Sequence, residues 1–483
     1  MKQSRETEAT VNLQNIKKHL CRRRMLGLST LGAAALSTLF KQDRAVADSQ
    51  GVIKQLTHPQ RVKRVIWLTM AGGPSHLELF DLKPKLAELH GQPMPESYTQ
   101  GQQLAQLQGQ KLLCLGPMFP FCKVGSSGTE ISTLLPHIGS IADEICLVRS
   151  MTTDAINHDP AHMFMNTGSQ IAGRPSMGAW INYGLGSVSE NLPGFLVMVS
   201  TGKGRSPQPI AARQWSSGFL PSRFQGVQLR SQGEAVLYLN NPPGVTSSQQ
   251  AMDIAAIESL NREHASHVQD PEIETRIAQY ELAFEMQTSI PNLMDTRDET
   301  RETLELYGCS PGDGTFASNC LLARRLAQRG VRFIQLYHRD WDHHSLLKEE
   351  LPLRAKEVDQ ASAALIKDLK RLGMLDETLV VWSGEFGRTP MSQANKGTVG
   401  RDHHNKSMSM WLTGGGICPG IVHGSTDELG YAAAENVCTV HDLHSTMLHQ
   451  LGIQHDAFTY KFQGLDFKLT GVEGARVIDE ILR

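Results

Sequence analysis

Arg64-Val65-Ile66-Trp67-Leu68-Thr69-Met70, running into Ala71-Gly72-Gly73-Pro74, is the stretch that decides the fold. A mostly apolar run halted by a Gly-Gly-Pro breaker reads as a central strand, buried on both faces, that stops in a tight loop. Ligands of open α/β sheets bind at such carboxyl ends of strands. Further along, strand, loop and helix alternate. Leu134–Ser150 reads as a helix opening at Pro136, followed by the short strand Cys146-Leu147-Val148. Phe316–Gln328 reads as a helix stopped by Gly330, and Val331–Tyr337 as a strand. The apolar stripe Leu347, Leu351, Val358, Ala361, Leu365, Leu369 and Leu372 predicts a long helix from about Leu346 to Leu372 lying on one face of a sheet. Gly373 ends it; Thr378–Trp382 and Ser407–Leu412 follow as strands, and His441–Leu451 as a final helix. Repeats of this kind predict an α/β fold, a largely parallel sheet flanked by helices on both faces.

The alternation breaks between residues 201 and 313, where Pro-, Gly- and Ser-rich pieces precede two helical stretches near Gln249–Val268 and Pro271–Gln287. This segment is expected to be a cap-like insertion dividing the core into residues 48–200 and 314–483. Residues 1–47 read as a processing signal: Arg22-Arg23-Arg24, a small-residue apolar run from Ser29 to Phe40, then Ala45-Val46-Ala47 before Asp48. Consecutive arginines before the apolar run mark the twin-arginine variety, so the expected partner during export is the twin-arginine translocon and the expected location is periplasmic or extracellular. No stretch is long and apolar enough to predict a stable membrane span. A net charge of −2 and the lack of a basic stripe interleaved with aromatics give no case for nucleic acid. The eight cysteines include no C-x-x-C pair, which removes thiolate zinc and thioredoxin-type chemistry. Cys114 with Cys122 and Cys309 with Cys320 are the close pairs in an oxidising compartment, but isolated buried thiols are the main expectation.

Imidazole and carboxylate groups gather after the strands. Ser75 and His76 follow the first; His158, Asp159 and His162 follow Leu147-Val148; Asp340, Asp342, His343 and His344 follow Leu336-Tyr337. Glu385 and Arg388 follow Trp382, and Arg401, Asp402, His403 and His404 are expected in the next loop. Five loops would thus aim metal-ligand types at one rim of the sheet. Such ligands suit zinc, manganese or iron, whereas magnesium and calcium prefer oxygen alone. His441, His444 and His449 on the last helix read as a half-exposed face, Gly414-Gly415-Gly416 as a turn, and Ser75 lacks the G-x-S-x-G elbow of a hydrolase triad.

Several of these segments carry a resemblance. Met70–His76 with Phe80-Asp81, Asn157–His162 through Asn166-Thr167-Gly168, Trp341–His344, Ser383–Pro390 and Gly400–His403 resemble an uncharacterised exported family, domain of unknown function 1501. That family is itself similar to the sulfatase and alkaline phosphatase superfamily. The resemblance covers nearly all of the chain after the signal. It implies an alkaline phosphatase/sulfatase-like core and a metal site holding a divalent ion, zinc first, then manganese, iron or calcium. Asp342, His344, Glu385 and His403 are the implied ligands. His158-Asp159-Pro160-Ala161-His162 with Thr167-Gly168 is similar to the sulfatase signature, placing His158 at the nucleophile position and His162 at that of its arginine. No cysteine stands there to become formylglycine, so sulfatase chemistry of that kind is excluded. Gly72 and Gly73 stand where superfamily members with an intact site carry aspartate, and Glu385-Phe386 replaces their Asp-His.

Two readings follow. In one, an ion held by some of Asp342, His344, Glu385 and His403 activates water or polarises an ester oxygen, with His158 as nucleophile, ligand or general base and His162 beside it. Arg388 and Arg401 then hold the phosphate or sulfate group of a small-molecule or carbohydrate ester, or else form salt bridges. In the other, the site has lost turnover and the chain binds an anionic ligand or polysaccharide.

Overall fold

The structure, a computed structural model, describes residues 51–483 apart from 201–209, most of 232–289, and positions 103, 190 and 396. The signal segment 1–47 and the two helical stretches expected within 249–287 lie outside or almost wholly outside the described residues. At the centre is a nine-stranded sheet. Its strands are β1 (Arg64–Met70), β2 (Cys146–Thr152), β3 (Phe195–Ser200), β4 (Val227–Leu229), β5 (Phe333–His338) and β6 (Thr378–Ser383), then β9 (Met408–Thr413), β10 (Ile421–His423) and β11 (Cys438–Thr439); β7 (Gly387–Asn395) and β8 (Thr398–His404) form a separate antiparallel ribbon. The order is β10-β2-β9-β6-β1-β5-β3-β4, with β11 also beside β2. β9 runs against both of its neighbours and the remaining pairs in the sheet are parallel. The fold is therefore α/β with a mixed, mostly parallel sheet.

β1 shows why helices cover both faces. Successive strand side chains point to opposite sides. Ile66, Leu68 and Met70 enter one apolar cluster with Leu321, Leu322 and Leu326 of α3 (Phe316–Gln328) and Leu351, Val358 and Leu365 of α4 (Leu347–Arg371). Val65 and Trp67 enter the other, with Phe164 and Met165 of α1 (His158–Thr167), Trp180 and Ile181 of α2 (Met177–Leu185), and Leu443, Met447 and Leu448 of α5 (Val440–Gln450). A fully buried Leu, Ile or Val side chain contributes about 1.5–3 kcal/mol, so β1, buried from Val65 to Met70, anchors both layers at once.

Local chemistry sets the helix ends. Thr315 caps α3 through Ser318 N–H; Thr439 and Asp442 form a reciprocal capping box at the start of α5. Gly168 closes α1 in the left-handed region at φ 67°. Within 201–313, Val227–Leu229 pairs with β3 as an edge strand, and Met286, Ile290, Leu293 and Tyr307 belong to the core.

Two expectations are corrected. The loop expected around Arg401–His404 is the second strand of the β7/β8 ribbon. The last helix presents no half-exposed histidine face at its first turns, since His441 and His444 are both buried. The polar stretch 96–110 runs mostly along the surface and is anchored at Leu107, which is buried; the Gln106 and Leu107 amides donate to Asp402 Oδ2 at 2.6 and 3.0 Å. The described cysteines are free thiols, and no helix among the described residues is long and apolar enough to cross a membrane.

Candidate metal centre

β6, β1 and β5 are adjacent and parallel, so the loops leaving their carboxyl ends meet on one rim. The β1 loop brings Gly72 and Gly73, the β5 loop Asp342 and His344, and the β6 loop Glu385. α1 begins after β2 with His158 as its first residue. The β7/β8 ribbon supplies Arg388 and His403, which sit opposite each other in its register. The ladder is irregular between Arg401 and His403, and an irregularity of this kind re-aims side chains. Arg401 turns to Glu78, and His403 to the rim.

His158, Asp342, His344 and His403 come together there, one ligand-type atom from each within 4.8 Å of all the others. Nε2 of His344 lies 2.8 Å from Nε2 of His403 and 3.0 Å from Asp342 Oδ1; His403 Nε2 is 3.1 Å from the same oxygen. His158 Nε2 is 3.2 Å from Asp342 Oδ2 and is buried without a well-formed hydrogen bond.

The other nitrogen of each ring is pinned by an acceptor. His158 Nδ1 donates to Glu385 Oε1 at 2.7 Å, His344 Nδ1 to Gln393 Oε1 at 2.6 Å, and His403 Nδ1 to the Ile156 carbonyl at 2.9 Å. With protons fixed on Nδ1, three Nε2 lone pairs and a carboxylate face one another, a set of donors that only a cation or a shared proton can reconcile. Their spacing is close to that of a bound set: the nearer pairs are 2.8–3.2 Å apart and all four atoms lie within 4.8 Å, whereas tetrahedral ligands about 2.0–2.2 Å from one ion lie about 3.3–3.6 Å apart. The residues present therefore suit a divalent ion, with imidazole favouring zinc over calcium.

Charge follows the same geometry. Burial opposes ionisation of Asp342, but the Arg388 guanidinium first, and then the three imidazoles that face it, outweigh burial and hold the carboxyl well below the usual range. Burial also works against a charged His158, yet the facing Asp342 and Glu385 carboxylates push it up to about 9. Burial, with help from Arg388 and the neighbouring imidazoles, pulls His403 down to about 4 against its bond to Asp342.

Glu385 is fully buried behind His158, accepting from the Gly72 amide at 2.9 and 3.1 Å and from the Gly73 amide at 3.1 Å. His162 is one turn further along α1, its Nε2 3.5 Å from Glu385 Oε1. Arg388 is sunk in the protein, bonded to the Gly72, Gly73 and Arg401 carbonyls and to Asp342 Oδ1 at 2.6 Å. Arg401 pairs with Glu78 at 2.7 Å and donates to the Thr389, Leu115 and Gly116 carbonyls. Both guanidinium groups are thus taken up by protein acceptors. His76 bonds the Gly430 carbonyl and His404 that of Tyr431, outside the quartet.

Sequence reasoning missed Gln393, Gln106 and the Ile156 carbonyl. Gln106 Oε1 accepts from Gln393 Nε2 at 3.0 Å, and its Nε2 lies 3.4 Å from His344 Nε2. The available signal was Gly397, a glycine at φ 84° next to the point where Thr398 pairs antiparallel with Asn395 and a ribbon begins.

Fold and site together define an α/β protein with a three-histidine, one-carboxylate donor cluster at the sheet rim. The chain belongs to the family described as protein of unknown function (DUF1501), whose model matches residues 62–482. No curated protein matches it in sequence. Among solved structures it is similar to a protein in the alkaline phosphatase superfamily from Vibrio parahaemolyticus, at 9% identity over 86% of this chain and 73% of that one, with a TM-score of 0.34. It is also similar to the lipoteichoic acid synthase LtaP from Listeria monocytogenes, at 10% identity over 89% and 80% of the two chains and a TM-score of 0.34. A third is the phosphonate monoester hydrolase of Agrobacterium radiobacter, at 10% identity over 80% and 73% and a TM-score of 0.32.

Proposed function

We propose that the protein is an exported metal-dependent hydrolase of phosphate or sulfate esters, its ion held by His158, Asp342, His344 and His403. The observation that carries the reading is the convergence of three Nε2 atoms and one carboxylate, each ring fixed by an acceptor on its far nitrogen. A bound divalent ion would supply Lewis acidity toward an ester oxygen and toward water. Arg388 keeps Asp342 ionised. The side chains of His158, His344 and Asp342 are 18–19% exposed, against 4% for His403, so an ester reaches the cluster from their side. α1 points its first residue into the cluster, and the positive end of a helix favours an anionic group. His162, a full turn away behind Glu385, acts through that carboxylate rather than on substrate. Residues 22–47 support export through the twin-arginine translocon, with the ion loaded before transfer.

One observation favours the competing reading, a non-catalytic protein binding an anionic ligand or polysaccharide. Arg388 and Arg401, the arginines that would grip an ester anion, are both held by protein acceptors. Elemental analysis of the purified chain together with assays on aryl phosphate and aryl sulfate separates the two. The hydrolase reading expects about one equivalent of metal and turnover, both lost in His344→Ala. Metal bound without turnover selects the binding protein, and a metal-free, inert chain removes both forms of the centre.

A further inference from the structure

Glu385 has no exposed surface, and its oxygens already face donors. Oε1 takes the His158 Nδ1 proton at 2.7 Å and the Gly72 amide at 2.9 Å; Oε2 takes the Gly72 and Gly73 amides, each at 3.1 Å. His158 stands between this carboxylate and the quartet, since its opposite nitrogen is the one near Asp342. The same glycine pair works in the other direction through its carbonyls. Gly73 O accepts Arg388 Nε at 2.8 Å and Gly72 O accepts Arg388 Nη2, while that guanidinium holds Asp342. One dipeptide therefore seats an acid behind a histidine with its amides, and a base behind an aspartate with its carbonyls. Only glycine takes this path: φ is 120° at Gly72 and 71° at Gly73, and a Cβ at Gly72 would lie 2.6 Å from the Asp342 backbone nitrogen.

We propose that Glu385 is a positioning residue and not a metal ligand: seated on the Gly72-Gly73 amides, it holds His158 with Nε2 toward the ion and sets the affinity of the centre without touching the ion. This rests on the metal-centre reading above. It also gives the glycines a role where the family resemblance leads one to expect a ligating aspartate. A carboxylate behind a ligating imidazole fixes its tautomer and raises its basicity, and loss of such a partner costs about 10–100-fold in metal affinity.

The test is a double-mutant cycle on zinc affinity, read by competition with a chromophoric chelator in the full chain, with circular dichroism confirming the fold of each variant. Glu385→Gln is expected to weaken zinc about 10–100-fold, yet to weaken it no further in a chain already carrying His158→Ala. Cobalt substituted for zinc should give the same visible spectrum, and so the same coordination number, in the unaltered chain and in Glu385→Gln. Should Glu385→Gln fail to fold because its amide faces the glycine N–H groups, Glu385→Asp replaces it, keeping the charge while drawing back from His158. Independent, additive losses or a changed cobalt spectrum would overturn the proposal by making Glu385 a ligand, and undiminished affinity would overturn it by leaving the residue idle. If the unaltered chain fails to bind zinc, the metal-centre reading itself falls.

Discussion

The two ends of α1 each meet histidines, and they treat them in opposite ways. At the amino end His158 joins His344, His403 and Asp342, every Nε2 turned toward the others. At the carboxyl end His441 and His444, arriving from α5, place Nε2 on the Gly168 and Met165 carbonyls at 2.9 and 2.8 Å. There each ring satisfies a helix-terminal acceptor and has no lone pair aimed at a neighbour's. Imidazoles gather in both places. The difference is direction: a ring whose Nδ1 is pinned offers Nε2 to an ion, and one whose Nε2 bonds a carbonyl offers nothing on that side.

The largest effect that could break this contrast is on metal content. His403→Ala should leave less than a tenth of the zinc of the unaltered chain, because one of four ligands is gone. His444→Gln, whose amide can still donate to the Met165 carbonyl, should retain all of it. Equal losses in elemental analysis would show that the two ends are not chemically distinct.

A second effect sharpens the comparison at the backbone. Gly72→Ala puts a non-glycine residue at φ 120° and a methyl group 2.6–2.8 Å from the backbone of Trp341 and Asp342. Strain of this kind costs about 1–3 kcal/mol and overpacking about 1–3 kcal/mol more. Thermal unfolding should shift down accordingly, with zinc affinity falling alongside, since the same loop seats Glu385 and Arg388. A stable variant with weakened zinc would mean that the loop matters to the centre alone.

How far the site could be read from the sequence depends on the kind of signal each part leaves. α3 was legible to the residue and α4 nearly so, because an apolar stripe of period 3.6 and a closing glycine are local properties. β1, β5 and β6 were legible as apolar runs, and their parallel pairing placed Asp342, His344 and Glu385 on one rim. The β7/β8 ribbon was not: its strands are polar, since they serve the site and bury Arg388, Gln393 and Arg401 against partners far along the chain. Glu385 and His158 could both be named as site residues, but which of them faces the others is set by the Gly72-Gly73 turn, about 310 residues from Glu385. The burial of His441 and His444 escaped for the same reason, their acceptors lying about 275 residues away on α1.

The smallest effect concerns acid. Burial, with the neighbouring His441 adding to it, outweighs the Met165 hydrogen bond and pulls His444 down to about 3, whereas an unfolded histidine titrates near 6.5. The unfolded chain therefore binds a proton that the folded chain refuses between those values. The contribution to stability is complete above about pH 6.5 and is lost as pH falls toward 3, by up to about 1.4 kcal/mol per pH unit. Buried His76, lowered to about 4, acts with the same sign. Urea midpoints of the unaltered chain at pH 7, 6 and 5, with chelator present throughout to hold ion occupancy constant, should decline across this range. In His444→Gln the decline should be shallower by one proton, because the substituted amide does not titrate. The slope isolates protonation from any uniform loss of packing, which would lower all three midpoints together. An unchanged slope would mean that the His444 ring can be protonated while folded, and the carboxyl end of α1 would then hold its histidines far more loosely than the carbonyl bonds imply.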